Sequence, residues 1–172
     1  MKITSSALRK LIREAIDGNR IIQERPWSVE YTFSLSGGTS SDSEGEGPDG
    51  FAIVMTTESG AVGRVVVDTY WNPQIGDQSG NSLKFEFGGE EVDGGVTYVP
   101  VRFDDGKKHK LVLSNAPVPG MLAISHMAPG TEVPVVYLVV PTPFGEDDDV
   151  EFSTESLGNG EVDVELTGHV NL

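Results

Sequence analysis

Apolar and polar residues alternate along most of the chain from residue 27 onward, with the period of two that a half-buried β-strand requires. The first such strand covers residues 27–36, and its apolar positions are Trp27, Val29, Tyr31, Phe33 and Leu35. Further candidate strands are 51–57, 62–71, 82–87, 96–103, 109–113, 121–125, 133–140, 150–153 and 161–170. The run from 133 to 140 is apolar at nearly every position, so we expect this strand to be buried on both faces.

Glycine and proline residues separate these strands, as turns between strands require. The stretch 37–50 carries four acidic residues and no large apolar one, which predicts a solvated, mobile loop. Short strands joined in this way predict an all-β domain over residues 26–172, built as an antiparallel β-sandwich or a jelly-roll-like fold. The alternation does not determine the order of the strands.

Residues 1–25 follow a different period and predict an N-terminal amphipathic helix. Their apolar residues recur at spacings of three and four, which places them on one side of a helix. This apolar stripe consists of Leu8, Leu11, Ile12, Ala15 and Ile16, and the basic residues Arg9, Lys10 and Arg13 lie on the other side. A helix of about twelve residues is marginal in isolation. We therefore expect the stripe to dock on the β domain, on a partner or on a lipid surface.

The charge divides the chain into the same two parts. The whole chain carries 12 basic and 27 acidic residues, a net charge of −15. Residues 1–25 hold 6 of the basic and 3 of the acidic residues, a net of +3, which leaves −18 on residues 26–172. An acidic body argues against a nucleic-acid-binding protein, which would present a basic face. We expect a basic docking or targeting arm on an acidic domain.

Other features of the sequence restrict its location and its chemistry. The chain has no cysteine, so disulfides and thiolate metal sites are excluded. It has no apolar run long enough for a membrane-spanning helix. Its N-terminal apolar residues are interrupted by basic ones, unlike an export signal, so a cytoplasmic location is expected unless the protein belongs to a particle.

Motifs that carry catalysis are missing from the sequence. Residues 45–50 match G-x-G-x-x-G, but a strand follows them instead of the helix that a dinucleotide site needs. The three histidines, His109, His126 and His169, are far apart in sequence, and His109 lies among lysines. We expect solvated surface histidines, no catalytic residue and no cofactor, and therefore a protein that is not an enzyme.

Two weaker binding candidates remain in the body. The acidic run that contains Asp147, Asp148 and Asp149 offers oxygen ligands for Ca²⁺, although it lacks the spacing of a known calcium loop and also fits a solvated turn. The adjacent aromatics Tyr70 and Trp71 point to opposite faces of a strand, so one of them can be exposed as a platform for a sugar ring. The same pair also fits a plug at the end of a sandwich.

The opening residues 1–16, MKITSSALRKLIREAI, resemble the N-terminal peptides of small head-associated proteins of large marine tailed phages. Prohead proteases of such phages cleave after glutamate in Ile/Leu-x-Glu. The chain contains this pattern at Ile12-Arg13-Glu14 and Ile22-Gln23-Glu24. The resemblance therefore implies a scaffold- or capsid-directed arm with processing sites after Glu14 and Glu24, and a place in the virion.

Three functions are consistent with these observations. The first is a non-enzymatic virion structural or assembly protein, a capsid decoration, cement or head-associated protein that docks on other virion proteins or on itself. The second is a carbohydrate- or Ca²⁺-dependent β-sandwich binding module. The third is an acidic inhibitor that mimics DNA, for which the acidic residues are poorly spaced because they cluster in loops.

Overall fold

A computed structural model describes residues 21–23, 27–36, 50–69, 81–115, 120–142, 144, 148–158 and 160–171. The regular elements in these ranges are strands, and they form two antiparallel sheets that pack face to face. The predicted all-β sandwich is confirmed. The predicted helix and most of the loop 37–50 lie outside the described residues, as do the residues of the docking stripe.

The strands are β1 Ile21–Gln23, β2 Trp27–Ser36, β3 Gly50–Thr57, β4 Val62–Asp68, β5 Asn81–Phe87, β6 Glu90–Val99, β7 His109–Ser114, β8 Met121–Met127, β9 Val135–Pro141, β10 Val150–Leu157 and β11 Glu161–Asn171. One sheet has six strands in the order β1-β10-β3-β4-β5-β6, and the other has five in the order β11-β2-β7-β8-β9. Each of the ten predicted strands overlaps an observed strand, but the strand predicted at 96–103 is β6, which begins at Glu90 and ends at Val99. β1 is additional, and it places three residues of the predicted arm beside β10.

The core lies between the two sheets, where every second residue of β2 points inward. Trp27 packs edge-to-face on Phe152 of the facing sheet, with ring centroids 4.9 Å apart, and Phe33 lies 4.9 Å from Phe51. These rings are fully or almost fully buried. Burial of each large apolar side chain contributes about 1.5–3 kcal/mol. The inward-facing residues of β2 therefore stabilise the packing of one sheet on the other.

The sandwich has two different ends. At one of them, the loop end, β2, β4, β6, β8 and β10 finish and the strands that follow them begin. Asn81 joins the segment after β4 to the segment after β6. Its side-chain amide donates to the Thr69 carbonyl at 3.3 Å, and its side-chain oxygen accepts from the Phe103 amide. Gly50 starts β3 at φ 144°, where a Cβ would lie 2.1 Å from the Val67 carbonyl oxygen. Only glycine fits this close approach.

Candidate functional site

Strand β9 is exposed where the sequence predicted burial. Val135, Val136 and Val139 have exposed fractions of 50%, 56% and 48%, so the prediction that this strand is buried on both faces is wrong. The physical reason is its position: β9 is at the edge of the five-stranded sheet and pairs with β8 alone among the described strands. Only Leu138 and Val140 of this strand are buried in the core, and the other valines belong to a surface.

The exposed valines continue into an apolar area on the outer face of the sheet. Register places Ala123 of β8 opposite Val139, and Ser125 opposite Val136. On β7, Val112 lies opposite Ser125. Five side chains on this outer face are apolar and half-buried or exposed, and together we call them the apolar strip: Val112, Met121, Ala123, Val136 and Val139.

A bulge in β9 aligns the two most exposed members of the apolar strip. Leu138 pairs with Ile124 and Val136 pairs with Ser125, so Tyr137 is an extra residue without an opposite partner on β8. The extra residue brings Val136 and Val139 to the same outer face. Leu138 points into the core, and Tyr137 packs against it.

The apolar strip is also uncharged in a strongly acidic protein. Residues 133–145 contain no charged side chain. Toward β11, the outer face of the same sheet carries charges instead. Lys110 lies 2.9 Å from Glu30 in an ion pair, and Glu161 and Asp163 are exposed on β11. Exposed apolar areas with a polar surround are typical of protein–protein contacts.

Two buried histidines form a second polar feature at the loop end. His109 and His126 have exposed fractions of 0% and 1%, so the prediction that they are solvated is wrong. His109 Nδ1 lies 3.0 Å from His126 Nε2, and His109 Nε2 lies 2.9 Å from a carboxylate oxygen of Asp105. Alternation contains a signal for their burial, because His109 shares its face with Leu111 and Leu113 of β7.

The surroundings of His126 and of the neighbouring Asp105 shift the pKa values of both groups. Burial, and after it the charge of His109, lower the pKa of His126 to about 4. Burial acts to raise the pKa of the Asp105 carboxyl, but hydrogen bonds from His109 and the Lys107 amide hold it below its ordinary value. The Phe33 ring stacks on His109 at 5.3 Å. The pair therefore links the turn before β7 to β8 inside the core, which is a structural role.

The loop end also holds a shallow recess between the two sheets. Its lining residues come from the end of β2, the start of β3, the residue after β4, the turn at 104 and the start of β11, and they are Leu35, Ser36, Gly50, Thr69, Asp104, Gly160, Glu161 and Val162. The predicted sugar platform, Tyr70 and Trp71, follows Thr69 directly and lies outside the described residues. Of this segment, the described part that lines the recess is Thr69.

The acidic candidates for Ca²⁺ lie at the opposite end of the sandwich. Asp148 and Asp149 are half-buried just before β10, and Asp147 is outside the described residues. Within the described ranges no group of three or more histidine, aspartate or glutamate side chains is arranged to hold a metal ion. The processing sites Glu14 and Glu24 and the basic residues Arg9, Lys10 and Arg13 are likewise outside those ranges.

Comparison with known proteins defines the fold. No family model matches the chain, and no curated protein matches it. Among solved structures, the chain is similar to basic winged bean lectin in complex with Tn-antigen, with a TM-score of 0.52 and 11% sequence identity over 87% of this chain and 78% of the lectin. At this identity the likeness shows a lectin-like β-sandwich fold. No helix in the described part of the chain is long and apolar enough to cross a membrane.

Proposed function

We propose that the protein is a non-enzymatic structural or assembly protein of a virion, of the capsid decoration, cement or head-associated kind. The observation that carries this proposal is the apolar strip, an uncharged docking surface on an acidic sandwich. In this proposal the N-terminal arm and the apolar strip both contact other virion proteins or further copies of the chain. The protein is then located in the virion.

The energetics of the apolar strip fit a protein that acts in many copies. Covering the exposed half of a valine side chain contributes on the order of 1 kcal/mol, so the apolar strip alone supports a modest affinity. Modest contacts become strong when many copies bind a repetitive particle together with a second site on each chain. An arm that carries +3 adds attraction to an acidic partner, and salt weakens that attraction.

The experiment that tests this function uses particles from the native source. Purified particles are analysed for the protein by mass spectrometry, and full-length recombinant protein is then tested for co-sedimentation with particles that lack it. Val139→Lys places a charge in the apolar strip, and we expect at least a tenfold loss of binding, about 1.4 kcal/mol.

The matched control for this experiment is Val170→Lys. Val170 is an exposed valine at 52% on β11, outside the apolar strip, and its variant should bind like the wild type. Absence of the protein from purified particles contradicts the proposed function. Equal loss of binding in the two variants removes the apolar strip from the interface.

A second candidate function, a glycan-binding module, is favoured by the recess at the loop end. Thr69, Asp104 and Glu161 line the recess, and the aromatic pair Tyr70 and Trp71 follows Thr69 in the sequence. The basic winged bean lectin of similar fold was solved with a glycan antigen, the Tn-antigen. In our second proposal, an aromatic ring at this end stacks on a sugar while the polar groups bind its hydroxyls.

Binding of the full chain to an immobilised glycan panel tests the second candidate. We expect Trp71→Ala to abolish any specific signal, and Phe87→Ala, which changes an exposed aromatic at the opposite end of the sandwich, to leave the signal intact. A panel without any specific signal, or a signal that both variants retain, rejects the glycan-binding function.

A further inference from the structure

The sequence of β9 is nearly the same when it is read in either direction. Residues 135–140 are Val-Val-Tyr-Leu-Val-Val. Two identical strands that pair antiparallel run in opposite directions. A two-fold axis between Tyr137 and Leu138 therefore places Val136 opposite Val139 of a second copy, and apolar residues oppose apolar residues along the whole strand.

The bulge at Tyr137 makes this register compatible with the two faces of the sheet. In a regular strand, residues 136 and 139 would point to opposite faces because they are three apart. With the extra residue between them, Val136 and Val139 both lie on the outer face. Directly opposite residues of an antiparallel pair share a face, so these two valines match. A register shifted by one residue would oppose an outer valine to an inward-facing Leu138 or Val140.

We infer that the protein forms a two-fold dimer in which β9 pairs antiparallel with β9 of a second copy. The two five-stranded sheets then join into one ten-stranded sheet, and the apolar strips of the two copies become continuous across the axis. This inference deepens the proposed function, because it takes the apolar strip as a docking surface and names a second copy of this chain as its occupant. Such an interface is closed and self-complementary.

The other described sheet edges are poorly suited to pairing with a second copy. β1 is three residues long, and β11 exposes acidic side chains. β6 carries Glu90, Glu91 and Asp93. Charges of this kind keep edges from pairing.

Charge also favours a second copy at β9. Two copies that each carry −15 repel each other over most of their surfaces. The uncharged β9 edge is where they approach with the least repulsion, and its partner must itself be uncharged and strand-like. Among the described surfaces, the same edge of a second copy meets both requirements.

Cysteine cross-linking of the full chain tests the dimer and its register. The natural chain has no cysteine, so single-cysteine variants report one position each. Opposite residues of an antiparallel pair have Cα atoms about 4.5–5.5 Å apart, within the range of a disulfide. We expect a mixture of Val136→Cys and Val139→Cys to form a disulfide-linked dimer under mild oxidation. Each variant alone should form at least about tenfold less, since like positions are offset by three residues.

Val170→Cys, mixed with either variant, is the matched control for random collision. Sedimentation of the wild type should show a monomer–dimer equilibrium that Val139→Lys shifts to monomer and Val170→Lys leaves unchanged. A wild type that is monomeric at every concentration, or cross-linking that is equal in the control, overturns the dimer. In that case co-sedimentation with particles still decides whether the protein is an assembly protein, so the two failures are distinguishable.

Discussion

The two edge strands of the five-stranded sheet, β9 and β11, have the same secondary structure and opposite surfaces. β11 presents Glu161, Asp163 and Glu165 to solvent, while β9 presents valines. Each edge strand has one bulge against its neighbour. The comparison shows that one edge strand of this sheet carries acidic side chains on its exposed face and the other carries apolar ones, and charge on an edge strand is what disfavours pairing with another chain.

The largest expected difference between the two edges is in their contribution to the core. Leu138 of β9 is buried, whereas Leu166 of β11 is half-buried. We expect Leu138→Ala to lower the free energy of unfolding by about 3 kcal/mol, and Leu166→Ala by about half as much. Urea denaturation of the two variants measures this directly. Equal losses would mean that β9 is no more anchored than β11.

The pH dependence of stability also distinguishes the two edges of the sheet. One histidine lies beside each edge: His126 lies opposite Val135 of β9, and His169 lies on β11. The pKa of His126 is lowered to about 4 from 6.5, so the unfolded chain binds this proton more readily than the folded chain does. Stability from this group is complete above pH 6.5 and is lost as the pH falls toward 4. The total is about 3 kcal/mol, of which about 2 kcal/mol is lost between pH 7 and pH 5.

Denaturation at pH 7 and pH 5 tests this assignment in matched variants. His126→Gln should flatten the loss between the two pH values, and the exposed His169→Gln should leave it unchanged. If His126→Gln retains the full loss, another group is responsible for the acid sensitivity.

The strands of this architecture could be predicted from the sequence, but the exposure of β9 could not. Alternation located most of the long strands, because half-buried strands repeat every two residues. An apolar run such as 133–140 has no alternation, and it fits an interior strand and an interface strand equally well. Only the strand order, which depends on contacts between distant residues, shows that β9 packs its inner face on the other sheet and that no described strand covers its outer face.

The histidine pair shows a second limit of prediction from sequence. The burial of His109 could be inferred from its period with Leu111, but the lysines around it favoured a solvated turn. Its contact with His126 depends on the register of β7 against β8, where Leu111 lies opposite His126. That register is set by packing across the whole sandwich, which a local pattern does not contain.

The smallest expected effect concerns the charged part of the sheet. Lys110 pairs with Glu30 at 2.9 Å on the outer face near β11, and both side chains are partly exposed. Surface ion pairs contribute about 0–1 kcal/mol, so Lys110→Met should change the free energy of unfolding by less than 1 kcal/mol. Thermal unfolding at low and high salt measures it. A larger loss would show that the charged region stabilises the sheet as much as β9 does.

The pairing of β1 with β10 has a consequence for the order of events in the life of the protein. β1 lies between the two expected processing sites, after Glu14 and before Glu24. A cut after Glu14 would leave β1 covalently joined to the rest of the sheet, whereas after a cut at Glu24 the pairing with β10 alone would hold β1 in place.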